Sequence, residues 1–167
     1  MSDTVSYILK ASTNQTIGAL KSILGKAAAH AANIKVEESV LLSARLYPDM
    51  FPVTRQVQIA CDTVARGAAR LAGLEMPAFP DTETTFAELI ERCGKAIAYV
   101  EGVSSDAIDA TERTVLQIPI GPNTMPMEGR QYLSTFILPN LHFHAAICYG
   151  LLRMQGLEVG KRDYLMP

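Results

Sequence analysis

Leu133-Ser134-Thr135-Phe136-Ile137-Leu138-Pro139-Asn140-Leu141-His142-Phe143-His144-Ala145-Ala146-Ile147-Cys148-Tyr149-Gly150-Leu151-Leu152-Arg153-Met154 is the stretch that decides the fold. Apolar residues recur every three or four positions across it, the period of an amphipathic helix. A helix is predicted from about Gly129 to Gln155, closed by Gly156. Its inward stripe is predicted to be Leu133, Phe136, Ile137, Asn140, His144, Ile147, Leu151 and Met154. Two successive positions of that stripe, Asn140 and His144, are polar, and residues four apart stack on one helix face. Pro139 lies just before them, where it removes one backbone hydrogen bond and frees the carbonyl of Thr135. A kink, an amide and an imidazole therefore gather where packing favours leucine. Buried polar groups need partners, so a polar face is expected opposite.

The second long helix, predicted from about Pro52 to Ala72 with Gly73 as its stop, offers that face. Val53, Val57, Ala60, Cys61, Val64, Ala68 and Leu71 form its apolar stripe, and Arg55, Gln58 and Asp62 flank it at i, i+3 and i+7. A carboxylate that holds an imidazole is a common acid–base arrangement, so Asp62 is expected to orient His144. The competing arrangement is a satisfied core histidine, with Asp62 paired to Arg66 one turn away.

The rest of the chain reads as more helix. Val5, Ile8, Leu9, Ser12, Thr16, Leu20, Leu24 and Ala27 predict a first helix over about residues 4 to 31, broken by Asn33-Ile34-Lys35. A short helical turn is expected from Glu38 to Leu46, followed by a loop over Tyr47–Pro52. The Pro-rich linker Leu74–Pro80 precedes a third long helix, capped by Asp81 or Thr82 and ended by Gly102, with the stripe Phe86, Leu89, Ile90, Cys93, Ile97 and Val100. Residues 114–120 alternate and are β-branched, Gly121-Pro122-Asn123 is a turn, and Thr124 to Glu128 returns. A small β-hairpin between the third and fourth long helices is therefore expected, and Pro119 and Pro126 suit its edge strands. Residues 160–164 read as a polar tail. The fold class is all-α: one domain over residues 1–167, built as a four-helix bundle.

Composition narrows the function classes. Fifteen Lys+Arg against 17 Asp+Glu give a net charge of −2, which argues against nucleic-acid binding, because phosphate neutralisation needs a basic surface. No run of about 18 apolar residues is evident, so no membrane span is expected, and the acidic start at Met1-Ser2-Asp3-Thr4 does not resemble a signal peptide. Cys61, Cys93 and Cys148 are far apart and lack any CxxC spacing. An odd, sparse count suits a reducing cytoplasm, with each thiol acting as a small buried hydrophobe.

The remaining histidines contribute little. His142 lies two residues from His144, about 200° round the helix, and is expected at a surface or subunit interface. His30 falls in the last turn of the first helix, where it complements the helix dipole. Arg45, Asp49 and Arg55 bracket a loop. They read either as an ion pair that anchors it, or as Arg45 and Arg55 holding a ligand anion at the bundle mouth. No phosphate loop, GxGxxG, GxSxG or HExxH occurs.

Ala44-Arg45-Leu46 with Pro48-Asp49-Met50, Arg55–Ala60, Thr85–Leu89, Leu138-Pro139-Asn140 with Phe143-His144, and Gly160–Asp163 together resemble a bacterial family, the domain of unknown function nineteen ninety-three. That family belongs with the DinB/YfiT-like helical bundles. The resemblance covers nearly the whole chain and implies a DinB-like bundle, often dimeric. It also implies a divalent metal such as zinc or nickel, held by one histidine of the second long helix and two of the fourth at i, i+4, and in some relatives the transfer of low-molecular-weight thiols. Carried onto this chain, those positions fall near Gln58, Asn140 and His144, of which only His144 is a histidine.

Two readings result. In the first, a polar pocket between the second and fourth long helices binds a small ligand or a metal, with His144 as base or metal ligand, Asp62 orienting it, Gln58 and Asn140 donating hydrogen bonds, and Arg55 or Arg45 meeting an anion. In the second, the chain is a non-catalytic homodimer that keeps a degenerate metal site, and the polar residues only fix packing or register. A homodimer in the cytoplasm is expected in both.

Overall fold

A computed structural model describes residues 4–166. The chain is mostly helical and carries one small two-stranded antiparallel sheet. In chain order the elements are α1 (Thr4–Asn33), α2 (Glu38–Leu42), α3 (Val53–Leu71), α4 (Phe86–Gly102), α5 (Ser105–Asp109), β1 (Val115–Ile120), β2 (Asn123–Glu128), α6 (Gly129–Tyr132), a π-helical turn (Leu133–Ile137), α7 (Leu138–Met154) and α8 (Lys161–Leu165). α1 packs on α4 and α7, and α3 packs on the same two helices, so the long helices close a ring around one core. Leu9, Ile17, Leu20, Leu24, Val57, Leu71, Phe86, Leu89 and Leu141 are fully buried within it.

Local chemistry sets the helix ends. α3 stops at Gly73, whose φ is +66°, and the bonds Leu74 N–H to Ala69 O and Gly73 N–H to Arg70 O complete a Schellman motif. α7 ends in the same way around Gly156. α1 uses the same geometry with a lysine: Lys35 sits at φ +56°, and Val36 N–H bonds to Ala31 O. Acidic side chains serve two helix starts from a distance. Asp109 accepts from Ser6 N–H at 2.9 Å, and Glu38 accepts from Phe86 N–H at 2.7 Å. These bonds tie α5 to α1 and α2 to α4. Thr85 caps α4, and its capping box with Glu88 replaces the expected cap at Asp81 or Thr82, whose neighbourhood is used for ion pairs instead.

The hairpin forms with Val115 opposite Glu128 and Ile120 opposite Asn123, around a two-residue Gly121-Pro122 loop. Gly121 at φ +57° supplies the positive φ that such a loop needs at its first position. Ile118 is the buried anchor of β1. Gly129 follows the hairpin at a backbone crossing so close that a Cβ there would lie 2.3 Å from Thr111 O.

Three expectations change. The turn after α1 is shorter than expected, ending at Leu42. Residues 105–109 and 161–165 are helical, because Ser104 caps the first segment and Asp163 accepts from Gly160 N–H at the start of the second. The tail, expected to be solvated or to dock on the bundle, docks: Gln15 donates to Tyr164 O at 2.6 Å, and Tyr164 stacks edge-on against Tyr149. The largest correction concerns the last long helix. Leu138 N–H bonds to Leu133 O, a five-residue step, just where Pro139 has no N–H to continue the α pattern. A π turn takes up one extra residue, so the inward stripe beyond it moves on by one. Leu141, Ala145, Cys148 and Leu152 are buried. Asn140 and Ile147 are only half-buried, and Met154 is 61% exposed.

The span Gly129–Met154 is long and apolar enough to cross a bilayer by length and composition, with a mean hydropathy of 1.2 over its best 18 residues. Its prediction as purely a bundle helix overlooked that property. In this fold its apolar side packs against α3 and α1.

Candidate functional site

The site is built on α3. Every apolar stripe residue expected there is buried, which leaves the flanking polar residues in fixed register. Gln56 sits between Val53 and Val57, buried, and its Nε2 donates to Phe51 O at 3.0 Å. That bond turns Oε1 toward α7, where it lies 2.7 Å from His144 Nδ1. An amide oxygen only accepts, so Nδ1 carries the proton and the lone pair is on Nε2. Burial, and then the positive charge of Arg55, hold the His144 pKa below the ordinary imidazole value. The result is a neutral imidazole of fixed tautomer, with the Phe143 ring edge-on at 5.2 Å.

The expected Asp62–His144 pairing is not the arrangement found. Asp62 Oδ1 accepts from Arg92 at 2.6 Å, and Oδ2 from Arg66 at 3.2 Å. Arg92 rises from α4 into the interior, where its side chain is only 2% exposed. It also pairs with Asp81 at 3.0 Å and Glu83 at 2.9 Å, donates to Pro80 O, and stacks on the Phe79 ring. Burial pushes the Glu83 carboxyl up, but the hydrogen bonds from Arg92 and Gln58 outweigh it and leave its pKa lowered. The same carboxylates, against the cost of burial, raise the Arg92 pKa. This cluster pins the linker before α4 onto α3.

The other expected site residues are distributed as follows. Gln58 is buried, donates to Glu83 at 2.9 Å and accepts from Arg55 at 3.2 Å. Arg55 pairs with Asp81, not with Asp49, and lies over the Phe51 ring. Asn140 spends its amide on Phe136 O at 2.7 Å, a carbonyl of the widened turn. Arg45 is exposed and donates to Met50 O, which anchors its own loop. His142 is exposed, as expected from its opposite face, and His30 contacts Gln155 O at the end of α7. Cys61, Cys93 and Cys148 are free and buried, with Cys61 and Cys93 in S–H···S contact at 3.9 Å. Burial drives the Cys148 thiol pKa strongly upward, and the Cys93 contact does the same for Cys61, so neither is a ready nucleophile.

These donors do not suit the divalent metal that the DinB resemblance implies. Among the described residues no group of three His, Cys, Asp or Glu side chains is placed to hold a metal ion, and the carboxylates of Asp62, Asp81 and Glu83 converge on Arg92 instead. His144 Nδ1 is committed to Gln56, and the amides of Gln58 and Asn140 are committed to Glu83 and to Phe136 O. Neutral amides are poor ligands for zinc or nickel.

Beside this polar site α3 forms one wall of a groove of about 280 Å³. Arg55, Ile59, Asp62, Arg66 and Arg70 line it at steps of three or four residues. Ile118 and Pro119 of β1, Tyr132 of α6 and Phe136 of the π turn complete it. Sequence reasoning missed Gln56, Arg92, Arg70 and Tyr132. Two signals were readable: Gln56 and Arg92 are polar residues at stripe spacing, i+3 from Val53 and Leu89. The role of Tyr132 depends on where the hairpin folds, which no local pattern encodes.

The helical ring and the small sheet define a DinB-like protein. A crystal structure of a DinB family member from Shewanella denitrificans superposes with a TM-score of 0.88 and 37% identity, over 100% of this chain and 97% of that one. The family described as Domain of unknown function (DUF1993) matches residues 8–165, and the chain belongs to it. No curated protein matches the chain in sequence.

Proposed function

We propose that this DinB-like chain, read as a four-helix bundle with a hairpin inserted before its last helix, binds a small organic molecule in the groove along α3 and does so without a metal. The observation that carries this reading is the groove itself. It joins apolar walls to a row of arginines, and its size approaches that of small-ligand pockets, which begin at about 300 Å³. Arg55 and Asp62, expected at the ligand site, both line it. His144 does not line the groove but lies close enough to Arg55, which does, to feel its charge; it is a buried neutral imidazole held by Gln56, and Asp62 supports the frame through Arg92 rather than the imidazole. Three buried, unpaired thiols favour a reducing cytoplasm as its location.

A homodimer is the second reading. It is supported by an apolar groove between the start of α1 and the π turn, lined by Val5, Ile8, Leu133 and Leu138. Light scattering at two protein concentrations reads this directly.

Elemental analysis of untagged protein purified without chelator, combined with a small-molecule fragment screen read by amide chemical shifts, tests the main proposal. The expected result is sub-stoichiometric metal, with fragment-induced shifts at residues 59–70 and 118–119. Near-stoichiometric zinc, nickel or iron that disappears in His144→Ala overturns the metal-free part. A screen that leaves those residues unmoved overturns the groove.

A further inference from the structure

Charges along the groove are unevenly paired. Arg55 is neutralised by Asp81, and Arg66 by Asp62, which also serves Arg92. Arg70 alone in this row has no carboxylate ion pair among the described residues. One terminal nitrogen donates to Gln117 O of β1 at 3.2 Å, and the buried Nε–H has no acceptor among the described residues. A buried donor without a partner is costly, about 1–3 kcal/mol, and more when the group is charged. The phenol of Tyr132, itself buried, sits against the Arg70 guanidinium, and its ring lies 5.5 Å from that of Phe136. A fixed cation, an unsatisfied N–H and a phenolic hydroxyl thus meet beside apolar walls. An oxyanion with two or more acceptor oxygens meets all three requirements, and arginine's planar fork suits carboxylate and phosphate geometry.

We propose that Arg70 and Tyr132 form an oxyanion subsite at the hairpin end of the α3 groove, where they take the carboxylate or phosphate of a small organic anion whose apolar body lies along Ile59, Ile118 and Phe136. This rests on the groove being a ligand site. Arg66 lines the same helix face four residues before Arg70, but its charge is already paired with Asp62, so Arg70 carries the subsite. Gln117 O fixes the guanidinium from the other side, so the subsite is assembled only when the hairpin is folded against α3.

The test uses three probes of similar shape: phenylacetate, phenyl phosphate and the neutral phenylacetamide. Calorimetric titration into the full chain is expected to show at least one anion binding tenfold or more tightly than the amide. The better anion distinguishes a carboxylate from a phosphate ligand. Arg70→Gln is expected to bring that preference close to one while leaving the Kd of the amide unchanged, and Tyr132→Phe to reduce it about threefold. Should Arg70→Gln fold poorly, Arg70→Lys and a salt series on the unaltered chain replace it. The preference then shrinks in Arg70→Lys and falls with ionic strength. Equal binding of anion and amide, or a preference that survives Arg70→Gln or is insensitive to both replacement measurements, overturns the subsite while leaving the groove as a neutral-ligand site. Failure of all three probes to bind overturns the subsite together with the groove.

Discussion

Gly67 of α3 faces Ile137, the last residue of the π turn, so closely that a Cβ on Gly67 would lie 2.6 Å from Ile137 Cδ1 and 3.0 Å from its Cγ1. No larger residue fits without movement of the Ile137 side chain. Gly67→Ala is therefore expected to destabilise the fold by about 1–3 kcal/mol, the usual range for overpacking. Ile137→Val removes the offending Cδ1 and alone costs about 0.5–1.5 kcal/mol. The double variant is expected to be more stable than the sum of the single effects predicts. Urea denaturation of all four proteins measures the coupling. Strict additivity would show that the two residues do not touch.

Arg92 is the hub of a buried ion-pair cluster, and its removal strands Asp62 and Glu83, whose side chains are only 13% and 12% exposed. Breaking a buried pair from one side typically costs about 3–5 kcal/mol. Arg92→Leu is expected to lose stability on that scale, and adding Asp62→Asn and Glu83→Gln to recover part of it. A thermal melt of Arg92→Leu within 2 °C of the parent would contradict the assignment.

The lowered pKa of His144 has a definite pH signature. Below about pH 6.5 the unfolded chain binds a proton that the folded imidazole resists. The contribution is therefore intact above that pH and declines as pH falls through the folded-state value. Glu83, with its lowered pKa, adds a second decline that starts near pH 4.5 and deepens on further acidification. Denaturation midpoints from pH 8 down to about pH 2 cover both windows, and NMR titration of the His144 ring isolates the first. An imidazole midpoint at or above 6.5 is the contrary result.

His144→Leu separates the polar contact from its neighbours. It leaves Gln56 Oε1 buried without its donor, a loss of about 1–3 kcal/mol. Adding Gln56→Met removes the stranded acceptor and is expected to recover stability. The melting temperatures of the two variants decide the question.

Lys35 holds a left-handed conformation at the end of α1, a position where glycine meets no steric penalty. Lys35→Gly is expected to stabilise the fold by about 0.5–1 kcal/mol, read as a raised denaturation midpoint with an unchanged slope. A lower midpoint would mean that the lysine side chain itself contributes.

Periodicity recovered the long helices, and turn chemistry recovered the hairpin, because both depend on residues close in sequence. The stripe of α3 was legible in full. That of α7 was legible in part: beyond Ile137 the expected His144 and Leu151 are buried, while Asn140, Ile147 and Met154 give way to Leu141, Ala145, Cys148 and Leu152, because the π turn takes up one residue. The same shift is why Asn140 turned out to serve a backbone carbonyl. Asp62 was placed on the correct face, and of its two expected partners Arg66 is found and His144 is not, while its closest cation went unforeseen. Its partner Arg92 lies 30 residues away, and which of two cations reaches a buried carboxylate is decided by helix packing. Arg70 and Tyr132 come together only after the hairpin has folded back on α3.

The π turn also gives one helix two angular settings. Up to and within it, Tyr132 and Phe136 line the groove on the hairpin side of α3. After it, Leu141, His144 and Cys148 address the interior. Removing a single residue, such as Ser134, would let the turn return to α geometry with the downstream half still facing as it does now, because the π turn is what absorbs that residue. His144 and the groove would then keep their present bearing, whereas one further residue inserted before His144, with nothing to absorb it, would rotate the imidazole by about 100° and rearrange the site more than most substitutions within it.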